Sequence, residues 1–472
     1  MESLESRTLM SASLDTFQLA GAGSSSAGCL SSDPQGNLYA AGTAKDAAGV
    51  NHVIVRKLTF GASDWQTILD IDHVAQSTSL PIVYSIAADA AGDVFIAGEA
   101  INPPTPSMSP YSNYVLKLAT GASSAILIDQ QTYAQYNAVD GAWVTTDSSG
   151  NLLWAGPTQT SSTKGNRTDI STYWTVRKWS PATSAWTTLD RWNGGATASS
   201  TLQDAYDFRS PHAISIIPGG TAAGIYVVGS NHVVNGGRDA WTVRRSTNGG
   251  ATWTTVDTWT PDSTFQGPSA SAYDVAGDAV GNVYVVGRAN STVITGYNKN
   301  KTPIYGSGPK HWVVRKSLGG NAGTWTTDAD VVMSQYALIS PKSLVVDSAG
   351  QVYAGGSYSG EIRTNIGGSW STFTVLPGPT SGLLMTSSGT LYSSGSQGSP
   401  PVWTVQTVST DRMTPSVAAA APAQAMLASA TTKLSRSAAG ASPTVRATRA
   451  HRMLAIYGGK SQSGLLRPLV NS

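Results

Sequence analysis

The chain holds 472 residues with 30 Lys/Arg and 28 Asp/Glu, so only 12% carry charge, about half the share of an ordinary soluble domain. With 49 Gly, 23 Pro, and Tyr and Trp (18 and 14) well ahead of Phe (6), the composition excludes coiled coils, helix bundles and collagen, and no stretch reaches the ~18 uninterrupted apolar residues of a membrane-spanning helix. One cysteine, Cys29, excludes an internal disulfide framework and a cysteine-built zinc site.

The first element in chain order is the segment 1–12, "MESLESRTLMSA", which lacks the apolar core of about 7–15 residues of a secretory signal. "SLDTFQLA" (Ser13 to Ala20) is a strand-like run with no neighbour in the local sequence. From there a segment bracketed by two glycines appears seven times: "GNLYAAG" from Gly36, "GDVFIAG" from Gly92, "GNLLWAG" from Gly150, "GIYVVG" from Gly224, "GNVYVVG" from Gly281, "GQVYAGG" from Gly350 and "GTLYSSG" from Gly389. The mean step is about 59 residues, close to the periods of propellers and other repeat architectures. Each copy has an apolar run before the first glycine and, after the second, a run such as "HVIVRK", "YWTVRK", "AWTVRR" or "HWVVRK". A fourth run starts at a tryptophan (Trp65, Trp186, Trp253, Trp325). All four runs are short, rich in β-branched and aromatic residues, and bounded by turn residues, which are strand signals.

Four antiparallel strands repeated radially predict an all-β fold, a seven-bladed β-propeller over residues 13–409. The seventh copy has a third strand, "VWTVQTVS" (Val402 to Ser409), but no fourth. The N-terminal strand is therefore predicted to complete that blade and close the ring. An open or six-bladed ring is the alternative.

The turns carry two family resemblances. "STNGGATW" (Ser246, Asn248, Gly250, Thr252, Trp253) resembles the Asp-box of sialidase-type propellers, with degenerate versions ending at Trp186, Trp325 and Trp370. The "D-x-x-G-N-x-Y-x-x-G" segment followed by "V-x-K" resembles the propeller repeat of exported bacterial proteins. Independently of these, Asp33, Asp89, Asp147, Asp278 and Asp347 each precede the turn glycine by three residues, where a carboxylate accepts backbone N–H groups and Gly takes positive φ. Arg56, Arg177, Arg244 and Arg315 end the third strand and are expected on the face of this Asp ladder, as an anion site or as turn packing.

Loop length separates the two faces. The second-to-third connections (99–113, 157–171, 288–310) and the blade-to-blade connections (191–211, 259–274) are long and fall on one side; function concentrates in long loops on a rigid scaffold. A tyrosine recurs there at the entry to the innermost strand: Tyr84, Tyr136, Tyr206, Tyr273 and Tyr336, with Asn137, Asp207 and Asp274 following several of them. These eight residues are the candidate ligand contacts, suited to a sugar's C–H faces and hydroxyls; the competing role is that of wedges between blades.

The sialidase resemblance implies an arginine cluster, a Tyr/Glu pair and an acidic proton donor. The chain has four glutamates, Glu2, Glu5, Glu99 and Glu361, and lacks the family's early Arg-Ile-Pro signature. The best catalytic set is Asp207 and Asp274 as an acid/base pair with Arg209 and Tyr206. His52, His73, His212, His232 and His311 show no metal-ligand spacing, no phosphate loop or dinucleotide fingerprint is present, and no cofactor is expected, with calcium in an aspartate-rich loop left open. Leu4, Glu5, Arg7, Leu9, Met10, Ser11 and Ala12 resemble the export leader of planctomycete proteins, which implies a secreted or cell-surface location. Residues 410–472 are Ala/Ser-rich with eight Lys/Arg and one acid, leaving a net −5 on residues 1–409. That segment reads as a disordered basic tail.

The expectation is an exported, monomeric, non-catalytic propeller that binds a polysaccharide or surface protein through its long-loop face. The alternatives are a sialidase-like glycoside hydrolase and a structural surface component; a nucleic-acid partner is not expected, because the basic residues are sparse and lack interleaved aromatics.

Overall fold

A computed structural model of the chain describes residues 13–21, 23–72, 79–101, 111–133, 141–164, 167–194, 210–233, 238–261, 269–333, 340–356 and 358–409. The chain divides into two units, Met1–Pro415 and Ser416–Ser472, and all described residues belong to the first. They form seven four-stranded antiparallel sheets with no α-helix, and so no helix able to cross a membrane, among the described residues. The innermost strands of blades 1 to 7 are Ser25–Ser32, Ser79–Ala88, Trp143–Thr146, Ser210–Ile217, Ser269–Gly277, Pro341–Val346 and Thr380–Met385. Each contacts the innermost strand of the next blade, and the seventh contacts the first. The unit is a closed seven-bladed propeller.

Closure comes from the N-terminal strand. Blade 7 has the order Ser13–Phe17, Val402–Val408, Leu391–Gln397, Thr380–Met385 from rim to centre. Asp15 faces Val405 and Phe17 faces Trp403 across the outer ladder. Asp15 then reaches across the seam to blade 1, where the Arg56 guanidinium donates Nε to Oδ2 and Nη2 to Oδ1, both at 2.7 Å. The buried Trp403 indole donates to the same carboxylate at 3.0 Å.

The seam contact recurs. Arg177 pairs with Asp129, Arg244 with Asp190 (2.7 Å) and Arg315 with Asp257 (2.6 Å). In each case the arginine ends the third strand of one blade and the aspartate lies on the outermost strand of the blade before. The four arginines therefore join blades through Asp15, Asp129, Asp190 and Asp257, not through the turn aspartates that shared strand ends suggested. Where blade 1 meets blade 2 the equivalent ladder positions hold Leu69 and Leu116, both buried in one apolar cluster. Four seams thus hold an arginine–aspartate pair and one holds two leucines, while the same ladder positions hold Ala329 with Arg363 at the blade 5–6 seam and Thr374 with Gln406 at the blade 6–7 seam.

The two glycines of each repeat have different causes. The first sits at the turn with positive φ, as at Gly281 (+94°), beside an aspartate whose Oδ1 accepts the Asn282 N–H at 2.7 Å. The second has no positive φ and is required by close approach. A Cβ at Gly287 would lie 2.1 Å from the Ser271 carbonyl oxygen and 2.5 Å from the Trp241 ring of the preceding blade. The equivalent clash, 1.8–2.1 Å from an inner-strand carbonyl, exists at Gly42, Gly98, Gly229 and Gly395.

Two of the long connections are not irregular loops. Leu152–Lys164 pairs with Arg167–Ser180, and Asn282–Tyr297 with Pro303–Leu318, as continuous ladders. Thr, Val, Ile and Tyr in "TQTSSTK", "STVITGY" and "PIYGSG" sustain the pairing beyond the blade.

Replacing Asp15 by Ala leaves Arg56, 11% exposed, without its carboxylate, and is expected to cost ~3–5 kcal/mol of unfolding free energy. Asp15→Leu with Arg56→Leu, copying the blade 1–2 seam, is expected to recover most of that loss in equilibrium urea unfolding.

Candidate functional site

The innermost strands share a defect that builds the site. In six of the seven, one residue is squeezed out of the ladder opposite the closing glycine: Gly28, Tyr84, His212, Tyr273, Lys342 and Ser381. In blade 3 the strand begins one position later, at Trp143. A bulge turns its extra side chain away from the sheet pairing. The bulges lie toward the N-terminal ends of these strands, on the side of the long connections.

The bulged Tyr84, His212 and Tyr273 and the strand residue Trp143 form a continuous aromatic row across blades 2 to 5. The Tyr84 and Trp143 ring centroids are 5.7 Å apart, Trp143 and His212 are 5.7 Å apart, and His212 stacks on Tyr273 at 5.0 Å with an interplanar angle of 18°. The Arg288 guanidinium lies 5.7 Å from the Tyr273 centroid. All four rings are partly exposed, and Arg288 and Lys342 are exposed. Gly141 seats Trp143: a Cβ there would lie 1.7 Å from the indole ring, and the Gly141 carbonyl accepts from Asn113 at 2.9 Å.

His212 is held neutral. Burial, together with the charges of Arg288 and Lys342, pushes it down to about 4, against the opposing pull of a hydrogen bond to Ala272. Its Nδ1–H donates to the Ala272 carbonyl at 2.8 Å, so Nε2 is the acceptor nitrogen.

Asp274, one residue past Tyr273, is raised by burial to about 7, against the pull of the Leu344 and Val275 amides and Ser343. Its Oδ2 accepts the Leu344 N–H of blade 6 at 2.7 Å and its Oδ1 the Val275 N–H at 2.8 Å. The same position in blade 2 is Ser85, whose hydroxyl accepts the Val144 N–H, and in blade 6 Ser343, which accepts the Leu383 N–H. Asp274 is therefore turned into the next blade, as its repeat equivalents are. Cys29 occupies this position in blade 1, its thiol donating to the Ala41 carbonyl at 3.6 Å and pushed up by burial to about 12, far from the thiolate range.

Of the residues predicted from sequence, Tyr84 and Tyr273 belong to the row and Asp274 backs it. Tyr136, Asn137, Tyr206, Asp207, Arg209 and Tyr336 lie outside the described residues. Trp143, His212, Arg288 and Lys342 were missed; of these only Lys342 shares with Tyr84 and Tyr273 the spacing of 14 residues before the closing glycine. Among the described residues no group of three His, Cys, Asp or Glu converges as a metal site.

The turn Ser246 to Trp253 lies on the opposite face. The Ser246 hydroxyl accepts the Gly250 N–H at 2.9 Å, Asn248 Oδ1 accepts the Thr252 N–H at 2.9 Å, and the Trp253 indole donates to the Gly250 carbonyl at 3.1 Å. Trp253 packs into the cluster shared by blades 3 and 4 with Leu189 and Trp174. These residues hold a turn and a seam.

The sequence matches no protein-family model and no curated protein. Solved structures of similar form include the polysaccharide lyase Uly1 (10% identity, 81% of this chain and 90% of that one, TM-score 0.48). An α-L-arabinanase of Penicillium chrysogenum complexed with arabinobiose is 15% identical over 72% of this chain and 96% of its own, with a TM-score of 0.44. A sialidase of Trypanosoma rangeli is 11% identical over 74% of this chain and 54% of its own, with a TM-score of 0.37. Likenesses this distant leave the chemistry of the chain to its own residues.

Asp274 and His212 act on stability in opposite directions as pH falls. Between 3.8 and about 7 the folded chain keeps a proton on Asp274 that the unfolded chain has lost, so acidification favours folding. Between 6.5 and about 4 the unfolded chain protonates His212 before the folded chain does, so acidification opposes folding. From about pH 7 to 4.5, Asp274→Asn is expected to lose stability more steeply than wild type and His212→Gln less steeply, each by at most ~1.4 kcal/mol per pH unit. Urea unfolding at a series of pH values checks both signs.

Proposed function

We propose that the protein binds a glycan along the aromatic row at the long-loop mouth of the ring. The observation that carries this reading is the contact chain Tyr84–Trp143–His212–Tyr273 over four consecutive blades. Sugar rings offer C–H faces to such a platform, while phenols and an imidazole held as neutral acceptor supply directed hydrogen bonds. The row is wider than one side chain and follows the curve of the ring, which suits several sugar units in succession. The turn hydrogen bonds at Ser246, Asn248 and Thr252 support an Asp-box type of repeat for the scaffold.

A hydrolase is the second reading, favoured by one observation: the Asp274 carboxyl is raised to about 7, the range of a general acid. Asp207, Arg209 and Tyr206 would have to complete it. The amide contacts of Asp274 favour binding over cleavage.

In affinity electrophoresis through a panel of soluble polysaccharides, Trp143→Ala and Tyr273→Ala are each expected to weaken binding about tenfold or more, ~1.4 kcal/mol. Phe60→Ala, 76% exposed and on the turn face, is expected to leave it unchanged. Absence of binding to every polymer rejects the reading. Release of new reducing ends by the wild type, lost in Asp274→Asn, replaces it with the hydrolase.

A further inference from the structure

We propose that the glycan held on the aromatic row is acidic, and that Arg288 and Lys342 receive the anionic substituent, a carboxylate or a sulfate ester, of the sugar stacked on Tyr273 and His212. The inference rests on the glycan-binding reading and names its substrate class.

The bulge position, followed around the ring, reads Gly28, Tyr84, His212, Tyr273, Lys342, Ser381, while in blade 3 Trp143 stands at the next register position, opposite Ala155. Lys342 therefore occupies in blade 6 the place that aromatic rings occupy in blades 2, 4 and 5. In ring order the position after Tyr273 thus carries an ammonium group. Arg288 follows the closing Gly287 in blade 5, and its guanidinium covers Tyr273 at 5.7 Å. Both cations are exposed, and both contribute to lowering His212, so their fields meet at the ring that stacks on Tyr273.

Asp274 is committed to the Leu344 and Val275 amides. Glu99 is buried in blade 2, at the Tyr84 end of the row. The ring sequence 1–409 is net acidic at −5, yet the row ends in two positive charges. A guanidinium accepts a planar carboxylate through paired N–H donors, and an ammonium adds a point charge that also suits sulfate. A neutral sugar would offer them hydroxyl acceptors but no opposite charge.

The test uses the full chain, with polygalacturonate against its carboxyl-reduced form and dextran sulfate against dextran. The expected result is tighter binding of the charged member of at least one pair, and that pair identifies the anion. Arg288→Gln and Lys342→Gln are each expected to weaken charged binding about tenfold and to leave neutral binding and the thermal midpoint unchanged. Arg446→Gln with Arg449→Gln removes charge from the basic C-terminal segment and is expected to have a smaller effect than either. Equal binding of charged and neutral polymers, or an equal loss in the C-terminal variant, overturns the acidic assignment while binding that still depends on Trp143 keeps the glycan reading. If no polymer binds, charged or neutral, the glycan reading itself falls.

Discussion

The structure depends on blades being fastened to one another at their seams, and the Asp15–Arg56 pair shows how. A propeller blade is a small sheet with two apolar faces, and only its neighbours can cover them. Apolar packing between sheets has little directional preference, so the seam needs a contact that fixes height and rotation. A guanidinium bound through two nitrogens to one carboxylate supplies both. Asp15, 4% exposed in its side chain, accepts Arg56 and Trp403 together, so one carboxylate joins the outermost strand of blade 7, the strand beside it and blade 1. At the blade 1–2 seam Leu69 and Leu116 replace the pair. That exchange is physically reasonable, since a buried ion pair gives back in desolvation much of what it gains in attraction.

From the same geometry comes the candidate site. Close packing at five of the closing glycines leaves no room for a Cβ against a carbonyl at the inner strand, and six of the seven inner strands bulge at this level. The bulged side chain is released from the sheet toward the mouth of the ring. Scaffold and binding surface are therefore one device: glycine fixes the approach, the bulge frees one position in six of the blades, and that position varies from Gly28 through Tyr84, His212 and Tyr273 to Lys342. Because each of these residues sits on a strand, the row has the positional definition of a sheet.

Much of the fold was legible in the sequence because the repeat writes each blade's turn residues seven times. The missing fourth strand of the last copy pointed to Ser13–Phe17 for the same reason. The seam partners were harder to read, since each arginine pairs with an aspartate about 41 to 58 residues earlier, in another repeat. A signal existed: Asp15, Asp190 and Asp257 are each followed two residues later by Phe17, Trp192 and Trp259, the rings beneath Arg56, Arg244 and Arg315. For the site, tyrosine was the feature that recurred visibly, so Tyr84 and Tyr273 stood out. His212 and Lys342 did not, because the bulge position is the part of the repeat that carries no consensus, and Trp143 stands one register position beyond it. The hairpin extension at 288–310 reads as a loop in the sequence because its polar residues and glycines mask an alternating pattern.

Closure by the first strand has a consequence for how the ring comes into being. During synthesis Ser13–Phe17 leaves the ribosome long before Val402–Val408 exists, and the contact between Asp15 and Trp403 spans 388 residues. Pairings so distant are made late, because the intervening chain must first be organised. Until then one side of the Val402–Val408 strand is an open template for any other extended segment, so the earliest-made strand is also the cap that ends the chain's exposure to aggregation.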